Sequence, residues 1–512
     1  MSTAKAVDGP ATAGADLGSA ARHGLIGLAG SVVAAAAGLL LNVVVGRGLG
    51  PDVSGVFFVV VAVLTVAMTV GKLGADTGLV WALSRARTLG RGADTRRTLA
   101  VALLPAVLAS ALLAAGVYGC APLIAAAVDP SGTLEVDRLL RVSAPFLLAA
   151  APCMVLAAGL RGVGSITGYT LVQNVLVPGL RPLLAGVVIA AGLGVTAALL
   201  TWSAPLVLGV AVAAVLLHRR TAAAASAPGA APRPWRAVGG EFWRFSAPRS
   251  VTAALEVALV WSDVLLVAAL ATPRDAGIYA AASRFITTGT LAEAAMRIAL
   301  SPQVSSLLAV GDVRATGRLC ATGTQWVVLV AWPIYLALAL YSPFVLSLFG
   351  PGFPDGAVAL STLAVAMLLV MAAGNNQTVL LMSGRSTWQL ANKACALTVN
   401  LGLNVWLVPR YGMEGAAVSW SVAVVLDALL AVVQVRRGVG VRMPMVHVLP
   451  AVAMTTAAFV PPGLVVLLGS DRGAVASLAG LAVSTVCLVL LVAAARRHLD
   501  VAPLRDAVRR GR

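Results

Sequence analysis

Apolar residues in this chain are grouped into blocks of about 20, separated by short polar stretches, and about 20 is the length a helix needs to cross a hydrocarbon core of roughly 30 Å. The blocks predict helices over 24–45, 55–74, 98–118, 142–160, 172–193, 195–217 and 251–270. A second set follows over 277–300, 326–348, 357–382, 390–408, 415–435, 447–468 and 474–495. The fold class expected is an all-α integral membrane protein with about 14 transmembrane helices. A polar stretch over 1–23 precedes the first block, which reads as an uncleaved first helix because so many further blocks follow it.

Composition sharpens this. Of 512 residues, 59% are hydrophobic and 11% charged, against roughly 25% charged in soluble globular proteins, so the chain lacks the polar surface to face water everywhere. The 51 glycines and the Ala-rich apolar blocks suit membrane helices, which associate through small residues. The net charge of +17 does not point to nucleic acid, because the charges lie in short loops with no basic domain and no interleaved aromatics. Cys120, Cys153, Cys320, Cys395 and Cys487 are dispersed, and the four histidines sit at helix ends or in tails, so neither a metal site nor a cofactor is indicated.

The charges instead set the orientation. Cytoplasmic loops are enriched in Lys and Arg. Arg85, Arg87, Arg91, Arg96 and Arg97 fall between the second and third blocks, and Arg219, Arg220, Arg233, Arg236, Arg244 and Arg249 between the sixth and seventh. Arg436, Arg437 and Arg442 follow the twelfth block, and six arginines fill the C-terminal tail. The opposite loops are short and nearly neutral, so both termini are expected in the cytoplasm of a bacterial plasma membrane. The stretch 218–249, with Pro228, Pro232 and Pro234, is the one long linker. It divides an N-lobe over 24–217 from a C-lobe over 250–435, leaving a helix pair over 446–495 and a basic tail over 496–512.

The two lobes share an internal repeat. Pro51-Asp-Val-Ser-Gly55-Val56-Phe57 matches Pro273-Arg-Asp-Ala-Gly277-Ile278-Tyr279, and Gly194, Ala198, Trp202 and Ser203 match Gly412, Ala416, Trp420 and Ser421 at nearly the same offset. Transporters are often built from such repeats.

Several stretches carry a family resemblance: Gly46-Arg-Gly-Leu-Gly-Pro-Asp-Val-Ser-Gly55, Leu160-Arg-Gly-Val-Gly164 with Gln173-Asn174, and Glu241-Phe-Trp-Arg-Phe-Ser-Ala-Pro248. Trp261-Ser-Asp263, Leu348-Phe-Gly350, Met382-Ser-Gly-Arg385 and Pro409-Arg-Tyr-Gly412 continue it. Over about residues 20 to 445 the chain resembles the polysaccharide and O-antigen (Wzx-type) branch of the multidrug/oligosaccharidyl-lipid/polysaccharide flippase superfamily. The resemblance implies two six-helix lobes around a central cavity. It also implies a lipid-diphosphate-linked glycan as cargo, membrane lipids as surroundings, and a glycan polymerase and glycosyltransferases as working partners.

Charged side chains inside a span cost roughly 2.5–3.5 kcal/mol on insertion scales, which makes each a functional candidate. Arg181 lies about 13 Å into the fifth helix at 1.5 Å per residue, between Pro178 and Pro182, where a bent or broken helix is expected. A cation on a bent or broken helix at that depth suits a phosphate; the alternative is a structural ion pair. Arg284, Arg47, Asn375 and Asn404 are further cavity candidates; Asn376, Gln377 and Asn400 could join them or serve as interhelical hydrogen bonds. Asp263 and Arg284, judged to lie at equal depth on adjacent antiparallel helices, are expected to pair. Glu256 shares the Asp263 face, Glu293 and Arg297 are spaced to pair within one helix, and Asp427, with no evident partner, is a candidate for ion coupling.

The expected function is export of a lipid-diphosphate-linked oligosaccharide for cell-surface polysaccharide synthesis. A multidrug/cation antiporter or a lipid II flippase of the same superfamily are alternatives. A polytopic glycan polymerase or glycosyltransferase is less favoured, because the longest outer loop, 119–141, holds only Asp129, Glu135 and Asp137 as acids and no nucleophile-and-base set appears.

Overall fold

A computed structural model describes residues 10–130, 132–225, 233–469 and 473–494. The basic tail over 496–512 and most of the Pro-rich part of the linker lie outside the described residues. Regular structure among them is helical: seventeen α-helices with short 3-10 and π turns. Eleven stretches are long and apolar enough to cross a membrane.

Two of these stretches are too long for one crossing. Helix α1 (Pro10–Gly71) has 62 residues, which would reach about 90 Å if straight. Its helical backbone is interrupted at Gly50, φ 73° and ψ 171°. Helix α15 (Ser386–Gln434) is interrupted at Gly412, φ 54° and ψ −134°, a conformation only glycine adopts without strain. There the chain turns back: the space a Cβ would take at Gly415 lies 2.6 Å from the carbonyl oxygen of Leu407, whereas eight residues of straight helix span about 12 Å. Thus α15 is a helical hairpin.

The chain forms two compact units. The first comprises the described residues within 1–44, 64–122 and 137–254, the second those within 45–63, 123–136 and 255–512. In the first unit, α2 (Ala75–Thr88), α3 (Thr95–Val128), α4 (Val136–Ser143) and α5 (Leu147–Gly162) lead to α6 (Ile166–Thr170). A π turn over Leu171–Leu176 joins α6 to α7 (Val177–Ala190), followed by α8 (Gly194–Ala225) and α9 (Trp235–Leu270), whose residues from 255 on belong to the second unit. Small residues let these helices touch: a Cβ at Gly209 of α8 would stand 2.7 Å from Cys153 Sγ of α5 and 2.9 Å from Val177 Cγ2 of α7. Cys153, Leu156, Ala157, Val177 and Leu217 form the buried apolar centre there.

Helical backbone occupies both ends of the stretch 218–249. Helix α8 runs on to Ala225 and α9 begins at Trp235, because the Ala-rich stretch after Arg220 has high helix propensity. Just before α9, Arg233 is clamped. Its Nε lies 2.7 Å from Asp94 Oδ2 and its Nη1 2.6 Å from Glu241 Oε2, while its backbone N–H donates to Asp94 Oδ1 at 2.8 Å. These bonds, to Glu241 first and then Asp94, raise the Arg233 guanidinium above its ordinary pKa.

The second unit contains α10 (Pro273–Ala309), α11 (Val313–Leu340), α12 (Ser342–Ser347), α13 (Ala357–Ala373), α14 (Asn376–Met382), the α15 hairpin, α16 (Leu449–Leu468) and α17 (Ala474–Ala494). Its most informative contact joins the two copies of the sequence repeat. A Cβ at Gly55 would overlap the carbonyl oxygen of Pro273, and one at Gly277 would overlap that of Pro51 and stand 2.8 Å from the Gly55 nitrogen. The contact is reciprocal, as a duplicated element meeting its own copy requires. Beside it Arg274 bridges Asp355 at 2.9 Å and Asp52 at 3.7 Å. The second repeat match also has a structural counterpart: Gly194 and Gly412, at the starts of matching helices, both hold positive φ, 77° and 54°.

Candidate functional site

Arg181 sits in the first turns of α7, just after the π turn. The expected break at Arg181 is corrected. Helical backbone is continuous over Ile166–Ala190 and runs unbroken through Pro178 and Pro182, so each proline withholds one N–H from the preceding turn. The distortion is displaced one turn upstream, into the π turn carrying Gln173 and Asn174. Arg181 Nε donates to the Trp202 carbonyl at 2.9 Å, and its guanidinium lies 4.1 Å above the Trp202 ring. No described carboxylate pairs with it. A guanidinium carries five N–H donors; with only Nε engaged, the Nη edge remains a free planar fork.

In the second unit Arg284 lies 3.9 Å above the ring of Trp261, again with no described carboxylate partner. The expected pair between Asp263 and Arg284 is not made. The antiparallel register of α9 and α10 sets Trp261 against Arg284 and Asp263 against Tyr279. Two residues along a helix turn about 200°, so Trp261 and Asp263 face different neighbours.

Asp263, 1% exposed, accepts from Asn404 Nδ2 at 2.7 Å, Asn400 Nδ2 at 3.0 Å and the Tyr279 hydroxyl at 3.2 Å. Asn400 and Asn404 lie one turn apart on the first arm of the α15 hairpin, which presents both amides on one face. All three donors are neutral. Asn404 Oδ1 is buried beside them without a hydrogen-bond partner. A carboxylate so enclosed has its lone pairs partly satisfied and its charge unbalanced, which suits uptake of a proton or a small monovalent cation.

Asp427 does have a partner. Lys393 Nζ lies 2.7 Å from Asp427 Oδ2, and Gln377 Nε2 donates to the same oxygen at 3.0 Å. Lys393 was overlooked in the sequence although it stands inside an apolar block opposite an acid; a hairpin turning near Gly412 brings positions 393 and 427 level. Asn392 and Gln434 add a reciprocal amide pair at 2.8 and 2.7 Å.

The remaining candidates scatter. Arg47 Nε donates to the Leu348 carbonyl at 2.7 Å at an exposed position, so it fastens the Leu348-Phe-Gly350 motif. Glu256 is exposed, and Glu293 and Arg297 form no ion pair despite their spacing, with Arg297 exposed. Helical spacing permits such a pair without compelling it. Asn375, 5% exposed, follows Gly374, whose φ of 83° and ψ of −173° end α13.

The comparisons agree with this architecture. A "Probable flippase AglR" of Haloferax volcanii is 26% identical over 177 residues, covering 34% of this chain and 37% of that protein; the chain thus matches little more than a third of that relative's length. Among solved structures, a "Lipid II flippase MurJ, inward closed conformation" aligns with TM-score 0.68 and 11% identity, covering 92% of this chain and 99% of that one. An inward-facing multidrug resistance MATE family transporter of the MOP superfamily aligns with TM-score 0.63 and 18% identity, covering 79% and 94%. At these identities the likeness establishes the fold. Residues 21–307, more than half of the chain, match the family described as polysaccharide biosynthesis protein, and to that family this chain belongs.

Proposed function

We propose that this protein is a flippase that carries a lipid-diphosphate-linked oligosaccharide across the bacterial plasma membrane, with no bond made or broken. One observation carries the reading: Arg181, inside a membrane helix, is fixed by a tryptophan ring and a carbonyl with no carboxylate, which leaves its Nη fork for an anion. Such a planar fork matches two oxygens of a phosphate. In the second unit Arg284 stands over Trp261, likewise without a described carboxylate partner. The names and folds of the relatives support the reading.

In this account fourteen helices cross the membrane. The eleven spanning stretches become thirteen when α1 and α15 are each counted as two crossings, and α10 is the fourteenth. Both termini lie in the cytoplasm, where glycosyltransferases assemble the cargo, and a polymerase takes it up on the other face. Asp263 supplies the coupling site. A carboxylate with only neutral donors also favours a second reading, a cation antiporter of the same fold. The two separate experimentally. Cells depleted of the protein should accumulate a lipid-diphosphate-linked glycan on the cytoplasmic leaflet. Unchanged glycan lipids together with sensitivity to organic cations would select the antiporter.

A further inference from the structure

Beneath the connection from α15 to α16 the second unit bears an open cavity of about 700 Å³, within the ~300–1,000 Å³ range of small-molecule sites. Leu369, Val370 and Ala373 of α13 form one wall, and Val425, Leu429 and Val432 of α15 the other. The α15 residues recur at helical spacing, and the next position on that stripe is Arg436. Arg442, from the connection itself, lines the same cavity.

This mouth is a fixed feature. A π turn over Val435–Val439 ends the helix, Val441 is buried at 1% exposure, and the Arg442 carbonyl rests against Gly317, where a Cβ would overlap it. Both arginine side chains are nevertheless exposed, and no described carboxylate pairs with either. Leu369 and Leu429 are 56% and 54% exposed, so the apolar walls open outward and do not close on a protein core.

An apolar slot with two unpaired cations at one end has the polarity of a phospholipid. We infer that the cavity binds one anionic glycerophospholipid of the cytoplasmic leaflet, an acyl chain along the α13–α15 wall and the phosphate between Arg436 and Arg442. Basic pockets between membrane helices on the cytoplasmic side favour such headgroups. A zwitterionic lipid fits the slot but adds an ammonium that the arginines repel.

The test uses purified full-length protein in detergent, with dioleoyl phosphatidylglycerol and dioleoyl phosphatidylcholine as probes and retained lipid counted by native mass spectrometry. Each arginine near an anionic phosphate is worth roughly fivefold in affinity. Wild type should therefore retain phosphatidylglycerol over phosphatidylcholine by about tenfold or more, and R436Q/R442Q should retain the two equally. The control R219Q/R220Q removes two exposed cytoplasmic charges elsewhere and should keep the preference. Leu429→Trp, which fills the slot at a half-exposed position, should release lipid while leaving the fold intact. Equal retention by wild type would overturn the inference, and so would the same loss of preference in the control, which would mean diffuse surface charge. Displacement of phosphatidylglycerol by an equimolar polyprenyl phosphate would also overturn it and assign the slot to the cargo's tail.

Discussion

Arg181 and Arg284 each stand over a tryptophan ring, and Arg181 keeps its Nη donors open. For Arg181 this changes what substitution should do. Stacking contributes ~0.5–2 kcal/mol and a charged hydrogen bond ~1.5–3 kcal/mol, so Arg181→Ala should lose roughly 2–5 kcal/mol of stability as well as transport. The discriminating quantity is transport per folded molecule: near zero in Arg181→Ala and intermediate in Arg181→Lys, which keeps charge without the fork. Activity per folded molecule equal to wild type would remove Arg181 from the cargo site. Asp263 calls for the opposite comparison. Asp263→Asn preserves the bonds from Asn400 and Asn404 while deleting the charge, so it should fold normally and transport without dependence on an ion gradient; retained ion dependence would exclude Asp263 as the coupling group. Arg181, Arg284 and Asp263 were all visible in the sequence, because a charge inside an apolar block is conspicuous. Their neighbours were not. Pairing Asp263 with Arg284 required the azimuth of two helices, and depth along the axis does not supply it.

Among the elements, the hairpin of α15 determines how the second unit's polar side chains meet. Its turn at Gly412 levels Lys393 with Asp427 and Asn392 with Gln434. Removing one partner of a fully buried ion pair costs roughly 3–5 kcal/mol; Lys393 is 26% exposed, so Lys393→Ala should cost less than that. The double replacement Lys393→Met with Asp427→Leu should recover most of the loss, since apolar residues of similar size often substitute for such pairs. Thermal melting of the three variants checks this, and a double variant as unstable as the sum of the singles would mean that the two residues do not interact. The reciprocal contact of Gly55 and Gly277 belongs at this scale too. Overpacking costs typically 1–3 kcal/mol, so Gly55→Ala and Gly277→Ala should each lower stability by about that much. Their effects should be strongly non-additive, because either methyl separates the same two backbones. The repeat was legible as matched Pro and Gly positions at a shared offset; that the copies pack on each other was not, because a sequence match records common ancestry and says nothing of contact.

For the whole molecule, the blocks of hydrophobic residues located nearly every helix, since a bilayer core imposes their length. They placed ends poorly, as at Ala225 and Trp235, because helices continue past the membrane wherever propensity favours it. Orientation can be tested in a cysteine-free background, which the exposed Cys120 makes necessary. A cysteine at Leu193 should react with an impermeant thiol reagent in intact cells, and one at Ala93 only after permeabilisation; the reverse would invert the topology. The central claim is translocation itself. The protein should be reconstituted into liposomes carrying a fluorescent polyprenyl-diphosphate glycan in both leaflets, and the fraction exposed to a membrane-impermeant quencher followed over time. If the protein is a flippase, glycan lipid from the inner leaflet becomes quenchable in wild-type vesicles and stays protected in Arg181→Ala vesicles of equal folded content. Protection of the inner leaflet by wild type, at the level of protein-free liposomes under every ion gradient applied, would contradict the account.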